Sequence, residues 1–507
     1  MDEDKQGQEE RVEYPKGLRL HIITIALCLS IFVVALDNTI IGVAIPRITD
    51  EFDSLDDVGW YGSAYFLTAA AFQLFFVRLY SVLSLKWLYI AAVSILEIGS
   101  LICAVAPSST VLIVGRAIAG LGSAGVLAGA LIIVAHTVPL ARRPIYQGCV
   151  GSMYGIANVC GPLLGGALTD KVSWRWCFYI NLPLGGLTVF VMVLFFRAPG
   201  ARREAEPMNL ITHIQKFDPW GTAIFIPAIV CLLLALQWGG SKYPWGSDRI
   251  VALLVLFGAL TSVFIGIQIW KQEDATVPPR TIKQRSIMAC AWFALCLGAS
   301  FYVLIYFLPI YFLVIKGVSP VKSGVYNVPL VLAVSIITPI TGAAIAAIGY
   351  YTPFMILSTI LTTVGAGLLS TFTVDTGHSH WIGYQVIYGI GAGFGFQQPL
   401  TAAQTLLSIE DVPTGTSLML FMQILGGALF VSLIQAGATS LRTTIDPTLL
   451  PAVLVVYNEA LASVYYVAVA MRNHRRQTHP GTHHVQVTMV EEGMPIASIT
   501  LGVWAVA

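Results

Sequence analysis

Residues 151–166 read GSMYGIANVCGPLLGG, an apolar stretch in which small residues recur about one helical turn apart. In a helix, glycines at this spacing line one face and let a neighbouring backbone approach closely. A proline inside the helix removes one hydrogen bond and bends it, which a bilayer tolerates where packed neighbours satisfy the freed carbonyl. The stretch predicts a close-packed, bent membrane helix that can serve as a pivot, with simple helix packing as the alternative. The residues concerned are Gly151, Gly155, Gly161, Pro162, Gly165 and Gly166.

Composition predicts a membrane protein. Of the 507 residues, 56% are hydrophobic and 11% are charged, whereas soluble domains carry about 25% charged residues. We therefore expect the lipid bilayer as a partner. The formal net charge is +1 and no long basic stretch occurs, so nucleic acid is not expected. The eight cysteines lie in apolar runs without metal-ligand spacing, so we expect no disulfide framework, no metal and no cofactor.

The apolar stretches predict an all-α polytopic fold. A membrane helix needs roughly 20 apolar residues, and about fourteen stretches of the sequence qualify. We expect an arrangement in which two six-helix halves flank two inserted helices. The candidate spans are residues 20–45, 58–77, 87–105, 111–134, 148–168, 176–196, 219–238, 250–270, 286–315, 324–348, 353–372, 381–406, 416–437 and 451–471.

The corresponding division of the chain has six parts. The first segment is polar and acidic and lacks a cleavage pattern, so the first apolar stretch is expected to be a retained span. The parts are a cytosolic segment 1–19, the N-terminal half 20–196, a cytosolic connector 197–216, the inserted pair with its following loop 217–285, the C-terminal half 286–471 and an atypical tail 472–507.

The distribution of basic residues predicts the orientation. Cytosolic loops of membrane proteins are enriched in Lys and Arg. With the N-terminus in the cytosol, nineteen of the 28 Lys and Arg residues fall in cytosolic segments and eight in external ones. An even number of spans returns the C-terminus to the cytosol as well.

Three ionisable side chains fall inside predicted spans: Asp37, Glu97 and Arg116. A charge in hydrocarbon is costly, so such residues are candidates for function by default. Asp37 and Arg116 fall toward the same end of the bundle, and a charge-assisted pair would lower the cost of burying either. Glu97 has no cation in its own helix, so its carboxyl group is suited to take up and release a proton. Structural hydrogen bonding to a neighbouring helix remains the alternative for both carboxyl groups.

Three amides in late spans are candidates for a substrate cavity. Gln397 and Gln398 end the glycine-rich stretch YGIGAGFGFQQ, and Gln423 lies on the next span. Sites for organic ligands are mostly apolar with a few polar anchors, which such amides would supply. Hydrogen bonding between helices without ligand contact is the alternative.

Two further patterns indicate enzymes or nucleotide sites only weakly. Gly120–Gly125 matches GxGxxG, but a phosphate-binding loop needs a preceding strand, and here the glycines lie inside an apolar helix. His213 and Asp218 match the HxxxxD spacing of acyltransferases, without a second catalytic block. Helix packing and chance are the favoured explanations.

Four stretches together carry a family resemblance. They are LDNTIIGVAIP at 36–46, GRAIAGLGSAG at 115–125, the pattern GxxxGxxxxxGPxxGG at 151–166, and WRWCFYINLPLGG at 174–186. With them, the chain resembles the fourteen-span drug:proton antiporter branch of the major facilitator superfamily. More narrowly, it is similar to fungal carriers that export toxins and other secondary metabolites.

The resemblance implies a function and roles for several residues. Asp37 and Arg116 would belong to the proton-coupling and gating machinery, and Gly161 and Pro162 would form the antiporter kink. The protein would be a transporter, not an enzyme, that exchanges protons for a small hydrophobic organic compound. A proton-coupled importer of an iron chelate or nutrient remains an alternative, as does, from another class, a membrane-embedded acyltransferase. We expect a monomer in the plasma membrane, with the vacuolar membrane second.

The chain departs from the family pattern at two places. The loop after the second span reads QLFFVRLYSVLSLKW, with Gln73 where relatives carry Gly and no Asp after it. In addition, the last predicted helix is followed by a polar segment that begins at Arg472.

Overall fold

The computed structural model describes residues 15, 17–54, 57–196, 218–239, 242–272, 275–314, 316, 318, 320–372, 376–408 and 411–442. These residues are almost entirely helical, and their one β-bridge joins Gly239 and Tyr243. The N-terminal half comprises α1 (Leu18–Phe52), α2 (Val58–Val82), α3 (Leu85–Ala104), α4 (Ser109–Thr137), α5 (Arg143–Lys171), α6 (Trp176–Tyr179) and α7 (Asn181–Phe195).

The inserted pair and the C-terminal half follow. The pair is α8 (Pro219–Trp238) and α9 (Asp248–Lys271), and the short α10 (Pro279–Lys283) leads away from it. The C-terminal half comprises α11 (Arg285–Val314), α12 (Pro320–Tyr326), α13 (Val328–Ile348), α14 (Thr352–Ser370), α15 (His378–Gly395), α16 (Gln398–Leu406) and α17 (Val412–Arg442).

The prediction of an all-α polytopic membrane protein is confirmed. Among the described residues, eleven helical stretches are long and apolar enough to cross a membrane. Predicted spans 148–168 and 381–406 are also helical, as α5 and as α15 with α16, but glycines and polar side chains lower their hydropathy. The fourteenth predicted span, 451–471, lies outside the described residues, as do the connector 197–216 and the tail 472–507. The six-part division of the chain remains a prediction.

Three predicted spans are interrupted, each at a proline. The span 176–196 is divided between α6 and α7, 324–348 between α12 and α13, and 381–406 between α15 and α16. Pro183, Pro329 and Pro399 lie in the first turns of the helices that follow. A proline is accommodated in a first turn, where its missing N–H has no helical partner anyway. The hydropathy window reads through such breaks because the flanking residues are apolar.

The helices alternate in direction between two ends of the bundle. We call the end at which α1 begins the basal end and the opposite end the apical end. At the basal end, Arg19 of α1 donates to the Phe195 carbonyl at the end of α7, at 2.8 Å. At the apical end, Glu51 of α1 accepts from Arg175, which precedes α6, also at 2.8 Å.

Glycines let α3 and α4 approach almost backbone to backbone. A Cβ at Gly99 of α3 would collide with the backbone of Ala119 of α4, and a Cβ at Gly122 of α4 would collide with Leu96 of α3. The surrounding core is apolar and includes Ala92, a fully buried residue of α3. In a bilayer the hydrophobic effect does not drive helices together, because lipid tails are as apolar as the side chains. Helix association depends instead on dispersion contacts, which close approach of the backbones increases.

A buried carboxylate fixes the basal end of the inserted pair. Asp218 accepts hydrogen bonds from Gly221 N, Gln268 Nε2 and the backbone and hydroxyl of Thr276, and it lies 3.2 Å from Lys271 Nζ. Burial alone would raise the pKa of Asp218, but the hydrogen bonds outweigh it and the pKa is lowered. The carboxylate therefore joins α8, α9 and the loop after them into one rigid unit.

The inserted helix α8 contacts both halves of the bundle. Trp238 packs against Trp60 near the apical end of α2, with ring centroids 6.0 Å apart. Toward the basal end, Phe225 packs against Phe421 of α17 at 5.5 Å. In contrast, α9 packs on α8 and leaves most of its surface exposed, including Trp270. The pair thus lies at the lipid-facing side of the junction between the halves.

The α3–α4 packing yields a stability prediction. Gly122→Ala should lower the melting temperature of the purified protein by about 5 °C. Overpacking a core lowers the free energy of unfolding by about 1–3 kcal/mol, and each kcal/mol lowers the melting temperature of a large domain by roughly 2–4 °C. Gly258→Ala on α9 is the matched control, since a Cβ at Gly258 meets no atom within 4 Å. Equal melting temperatures for the two variants, measured by tryptophan fluorescence, would contradict the packing.

Candidate functional site

The site is built on an ion pair between α1 and α4. Arg116 Nη1 lies 2.5 Å from Asp37 Oδ2, and both side chains have 0% exposure. The guanidinium also donates from Nε to the carbonyl oxygen of Tyr61 at 2.8 Å. Its carbon lies 4.5 Å from the centroid of the Tyr65 ring, in a cation–π contact. The structure thus brings Asp37 and Arg116 together, as the sequence suggested.

Asn181 completes the coordination of Asp37. Its Nδ2 donates to Asp37 Oδ1 at 2.9 Å and also lies 3.2 Å from Ser100 Oγ of α3. Asn181 is fully buried and is the first residue of α7. The carboxylate therefore has a cation on one oxygen and an amide on the other, and α1, α3, α4 and α7 meet around it.

Glu97 lies near this group but outside its hydrogen-bond network. Both carboxyl oxygens are buried and have no hydrogen-bond partner among the described residues. The carboxyl group occupies the space beside Gly185 of α7 that a Cβ would fill. Gly185 is one turn beyond Asn181 on α7. The Glu97 carboxyl group, which comes from α3, therefore packs against the same face of α7 that carries Asn181.

The two charges of the pair depend on each other for their stability. Breaking a buried ion pair by removing one charge costs about 3–5 kcal/mol, because the other charge is left in a low dielectric. A guanidinium remains protonated in proteins, whereas a carboxylate can be neutralised by one proton. Protonation of Asp37 would therefore leave Arg116 uncompensated and favour a rearrangement of α1 against α4.

An apical network holds the ends of the same helices. Trp174 Nε1 donates to Glu51 Oε2 at 2.6 Å, and Arg175 contacts the other oxygen. The hydrogen bond from Trp174 is the main reason that the pKa of Glu51 is lowered, with Arg175 contributing further. Tyr61 donates from its hydroxyl to Ser109 of α4 at 2.9 Å. This contact positions the backbone of Tyr61, whose carbonyl oxygen accepts the hydrogen bond from Arg116.

The glycines of 151–166 serve two different partners. Near the apical end of α5, Gly161 lies against Thr39 and Gly165 lies against Ile40, both on α1 beside Asp37. Toward the basal end, Gly151 lies against Gln397 and Gly155 lies against Ser335 and Val331 of α13. One part of α5 therefore packs within its own half and the other part packs against the C-terminal half. Pro162 and Gly166 lie within α5 and are half-buried.

The three amides lie around the break between α15 and α16. Gln423 of α17 donates to the Phe396 carbonyl at 2.9 Å, and Gln398 donates to the Phe394 carbonyl at 2.8 Å. Gln397 lies against Gly151. The Oε1 atoms of Gln397 and Gln398 are buried without a partner among the described residues. Gln423 thus makes a hydrogen bond between helices, which was the alternative to substrate binding for these amides. A role in substrate binding remains a prediction for all three.

The remaining sequence patterns have structural explanations or lie outside the described residues. Gly120, Gly122 and Gly125 are inside α4 and contact the helices beside it, so the GxGxxG match reflects packing. Asp218 belongs to the basal cluster of the inserted pair. His213 lies outside the described residues.

The sequence interpretation did not single out Asn181 or Tyr61. Asn181 occurs in the quoted stretch WRWCFYINLPLGG, where a polar residue precedes Leu-Pro in an otherwise apolar span. A polar side chain just before a helix-starting proline was the available signal. Tyr61 contributes a backbone carbonyl, which leaves no mark in the sequence.

Comparisons with known proteins establish the family. Residues 27–431 match the sequence profile of the Major Facilitator Superfamily. The chain is 49% identical over 487 residues to the MFS-type efflux pump MFS1 of Arthroderma benhamiae, covering 91% of each protein. It is 48% identical over 491 residues to the efflux pump aflT of Aspergillus parasiticus, covering 91% of this chain and 94% of that protein.

A solved structure shares the fold. The crystal structure of the human organic anion transporter MFSD10 (TETRAN) matches with a TM-score of 0.63 and 12% identity, covering 90% of this chain and all of that chain. The bundle and its site thus define a multi-pass integral membrane transporter and not an enzyme, which rules out the acyltransferase alternative. The chain belongs to the Major Facilitator Superfamily, as its resemblance to fungal efflux carriers predicted.

The ion pair yields a stability prediction in which the order of the variants is diagnostic. Asp37→Leu should be the least stable single variant, because it leaves the permanently charged Arg116 buried, at a cost of about 3–5 kcal/mol. Arg116→Leu should be milder, since Asp37 can be neutralised by a proton. The double variant Asp37→Leu/Arg116→Leu should recover most of the loss.

Thermal unfolding of purified protein measures this order. Arg175→Leu is the control, because it removes an ion pair whose partners are 30% and 44% exposed and should change stability by less than about 1 kcal/mol. A double variant as unstable as Asp37→Leu would contradict the account.

The division of α5 yields a prediction about access to the interface. A valine at Gly155 should push α5 away from α13 and open the basal contact between the halves. Labelling by maleimide of a cysteine at Thr401, which now donates to Gln147 at 3.0 Å, should then accelerate at least about tenfold in a background without native cysteines.

Gly186→Val on α7 is the control, because a Cβ at Gly186 meets no atom within 4 Å. Its labelling rate should stay close to that of the parent protein. Equal acceleration by both substitutions would show that the effect of Gly155→Val is not specific to the contact between α5 and α13.

Proposed function

We propose that the protein exports small hydrophobic organic compounds, such as fungal toxins or other secondary metabolites, in exchange for protons. The observation that carries this proposal is the fully buried pair of Asp37 and Arg116, in which one partner can be neutralised by a proton. An ionisable pair kept in hydrocarbon is costly and is retained where moving charge past it does work.

The direction of transport is supported by the relatives. Proteins about half identical to this chain over nine-tenths of its length carry the names efflux pump MFS1 and efflux pump aflT. The importer alternative has no comparable support. The basic residues of the basal end, among them Lys86, Arg143 and Lys271, support a cytosolic position for that end under the positive-inside rule.

The coupling step starts from an inward-moving proton. A proton that reaches Asp37 from the apical side neutralises the carboxylate and releases Arg116. Because Thr39 and Ile40 adjoin Asp37 on α1 and pack on Gly161 and Gly165, a shift of α1 is transmitted to α5. The basal part of α5 contacts the C-terminal half, so the two halves rock against each other and expose a central site alternately.

The proton gradient supplies free energy of the same order as this step requires. A membrane potential of about 100 mV is worth roughly 2.3 kcal/mol per charge, and a pH gradient adds to that. This free energy is comparable to the cost of disrupting the pair. One or two protons per cycle would sustain a useful concentration ratio of the exported compound.

The substrate is proposed to lie between the halves, near the break between α15 and α16. Gln397, Gln398 and Gln423 surround this break, and Gly151 of α5 faces it from the other half. The two buried amide oxygens without partners, on Gln397 and Gln398, are polar anchors of the kind that orient an otherwise apolar ligand. We expect the transporter to act as a monomer in the plasma membrane, with the vacuolar membrane second.

A vesicle assay tests the coupling. In inverted vesicles from a strain expressing the protein, the probe is a toxin to which expression confers resistance. Asp37→Asn should reduce uptake driven by a proton gradient at least about tenfold, because neutralisation is then permanent. Glu51→Gln is the control, a carboxylate on the same helix that is 44% exposed at the apical end. Gradient-driven uptake that survives Asp37→Asn would refute the coupling role.

A further inference from the structure

Asn181 holds a defined orientation between two carboxyl groups. Its Nδ2 faces Asp37 and Ser100, at 2.9 and 3.2 Å. An ionised carboxylate only accepts hydrogen bonds, so the amide must present its NH₂ group to Asp37 and its carbonyl oxygen to the opposite side. The side chain is fully buried, at the start of α7.

The other side of the amide is unsatisfied. Asn181 Oδ1 is buried without a hydrogen-bond partner among the described residues, and so are both carboxyl oxygens of Glu97. The Glu97 carboxyl group lies against Gly185, one helical turn beyond Asn181. The unpaired Oδ1 of Asn181 and the unpaired carboxyl group of Glu97 therefore lie at adjacent turns along one face of α7.

Only one protonation state of Glu97 can satisfy this acceptor. A protonated carboxyl group has an O–H donor, whereas an ionised one has acceptors alone. A hydrogen bond to Asn181 Oδ1, formed directly after rotation of the Glu97 side chain or through one water, thus favours protonated Glu97. On the other side of the same amide, the NH₂ group favours ionised Asp37.

We propose that Asn181 is a positioning residue that imposes opposite protonation states on the two carboxyl groups, with Asp37 ionised and Glu97 protonated. This inference rests on the proposed function and deepens it. When a proton from the apical side reaches Asp37, the carboxyl group no longer needs the NH₂ donor and the amide is free to turn. Once turned, the amide presents its carbonyl oxygen to protonated Asp37 and its NH₂ group to Glu97, which favours the ionised form of Glu97. Glu97 then gives its proton to water on the basal side, so one proton enters and one leaves.

Other titratable groups lie on the helices that surround Glu97. The adjoining helix α7 contributes amide and hydroxyl groups but no acid or base along Asn181–Phe195. The charged or titratable groups on the surrounding helices include Asp37 on α1, Tyr61 and Tyr65 on α2, Lys86, Tyr89 and Cys103 on α3, Arg116 on α4, and Cys177 and Tyr179 on α6. Of these, only Asp37 is bonded to the amide of Asn181.

Infrared difference spectroscopy tests the proposal without any substrate. Purified full-length protein in lipid nanodiscs is titrated with acid and base, and the carbonyl band of protonated Glu97 is assigned by its loss in Glu97→Gln. Asn181→Leu removes both the donor and the acceptor. The midpoint of the Glu97 band should move to lower pH by about one unit, a tenfold loss of proton affinity.

Thr188→Val is the matched control. Thr188 is buried on the same helix and donates to the Leu184 carbonyl at 3.1 Å, without contact to either carboxyl group. Its band midpoint should match that of the parent protein. If Asn181→Leu fails to yield folded protein, Asn181→Ser keeps a smaller polar group and should shift the midpoint less, in the same direction.

The outcomes separate this inference from the proposed function. An unchanged midpoint in the Asn181 variants, or no protonated Glu97 in the parent protein, overturns the role of Asn181. That result is independent of transport, so the coupling role of Asp37 can still hold in the vesicle assay. Conversely, a shifted midpoint together with proton-independent transport would retain the linkage between the carboxyl groups and refute proton-driven export.

Discussion

A buried ion pair is stable only while both of its partners are charged, and this constraint organises the N-terminal half. Asp37 and Arg116 are shielded completely from solvent. Their desolvation is offset by the Tyr61 carbonyl, the Tyr65 ring and the Asn181 amide as well as by each other. Removing one charge turns the same surroundings from favourable to costly. The proposed coupling uses this property, because one proton on Asp37 would remove one of the two charges.

Close packing is what would convert a local change at this pair into movement of larger parts. The α3–α4 contact through Gly99 and Gly122 leaves little room for adjustment within the half. A helix that shifts would therefore move as a body, since packed interfaces switch between arrangements and do not deform continuously. In the proposed cycle, α5 would carry the movement outward, because its glycines contact α1 at one level and the C-terminal half at another.

The inserted pair adds a second connection between the halves. Its helix α8 lies along α2 through Trp238 and meets α17 through Phe225. The buried Asp218 ties α8, α9 and the following loop together at the basal end. The inserted pair is therefore one unit that contacts both halves of the bundle.

Much of the fold followed from the sequence because its signals are local. Hydropathy over about 20 residues locates a membrane helix, and a lone charge within it stands out. The pairing of Asp37 with Arg116 was predicted on cost alone, since neither charge could be buried by itself. The breaks at Pro183, Pro329 and Pro399 were missed because a hydropathy average does not register one absent N–H.

Contacts that depend on three-dimensional packing could not be predicted from the sequence. Asn181 lies 144 residues from Asp37 in the chain, and nothing local marks it as a ligand of a carboxylate. The division of the glycines of 151–166 between α1 and the C-terminal half could not be predicted either. A pattern of small residues indicates close helix packing but does not identify the neighbouring helix. Gln423 was predicted from its residue type to line a cavity, but its hydrogen bond to the backbone at a helix break could not be predicted from the sequence.

If protonation of Asp37 drives export, movement of the compound through the protein must move protons in the opposite direction. The most direct measurement is proton flux in weakly buffered proteoliposomes that contain the purified protein, when a gradient of the toxin to which it confers resistance is imposed without a proton gradient. Toxin that moves down its gradient should drive protons the other way in the parent protein, and Asp37→Asn should abolish this proton flux. Toxin flux without proton flux in the parent protein, or equal proton flux in both proteins, would contradict the coupling role of Asp37.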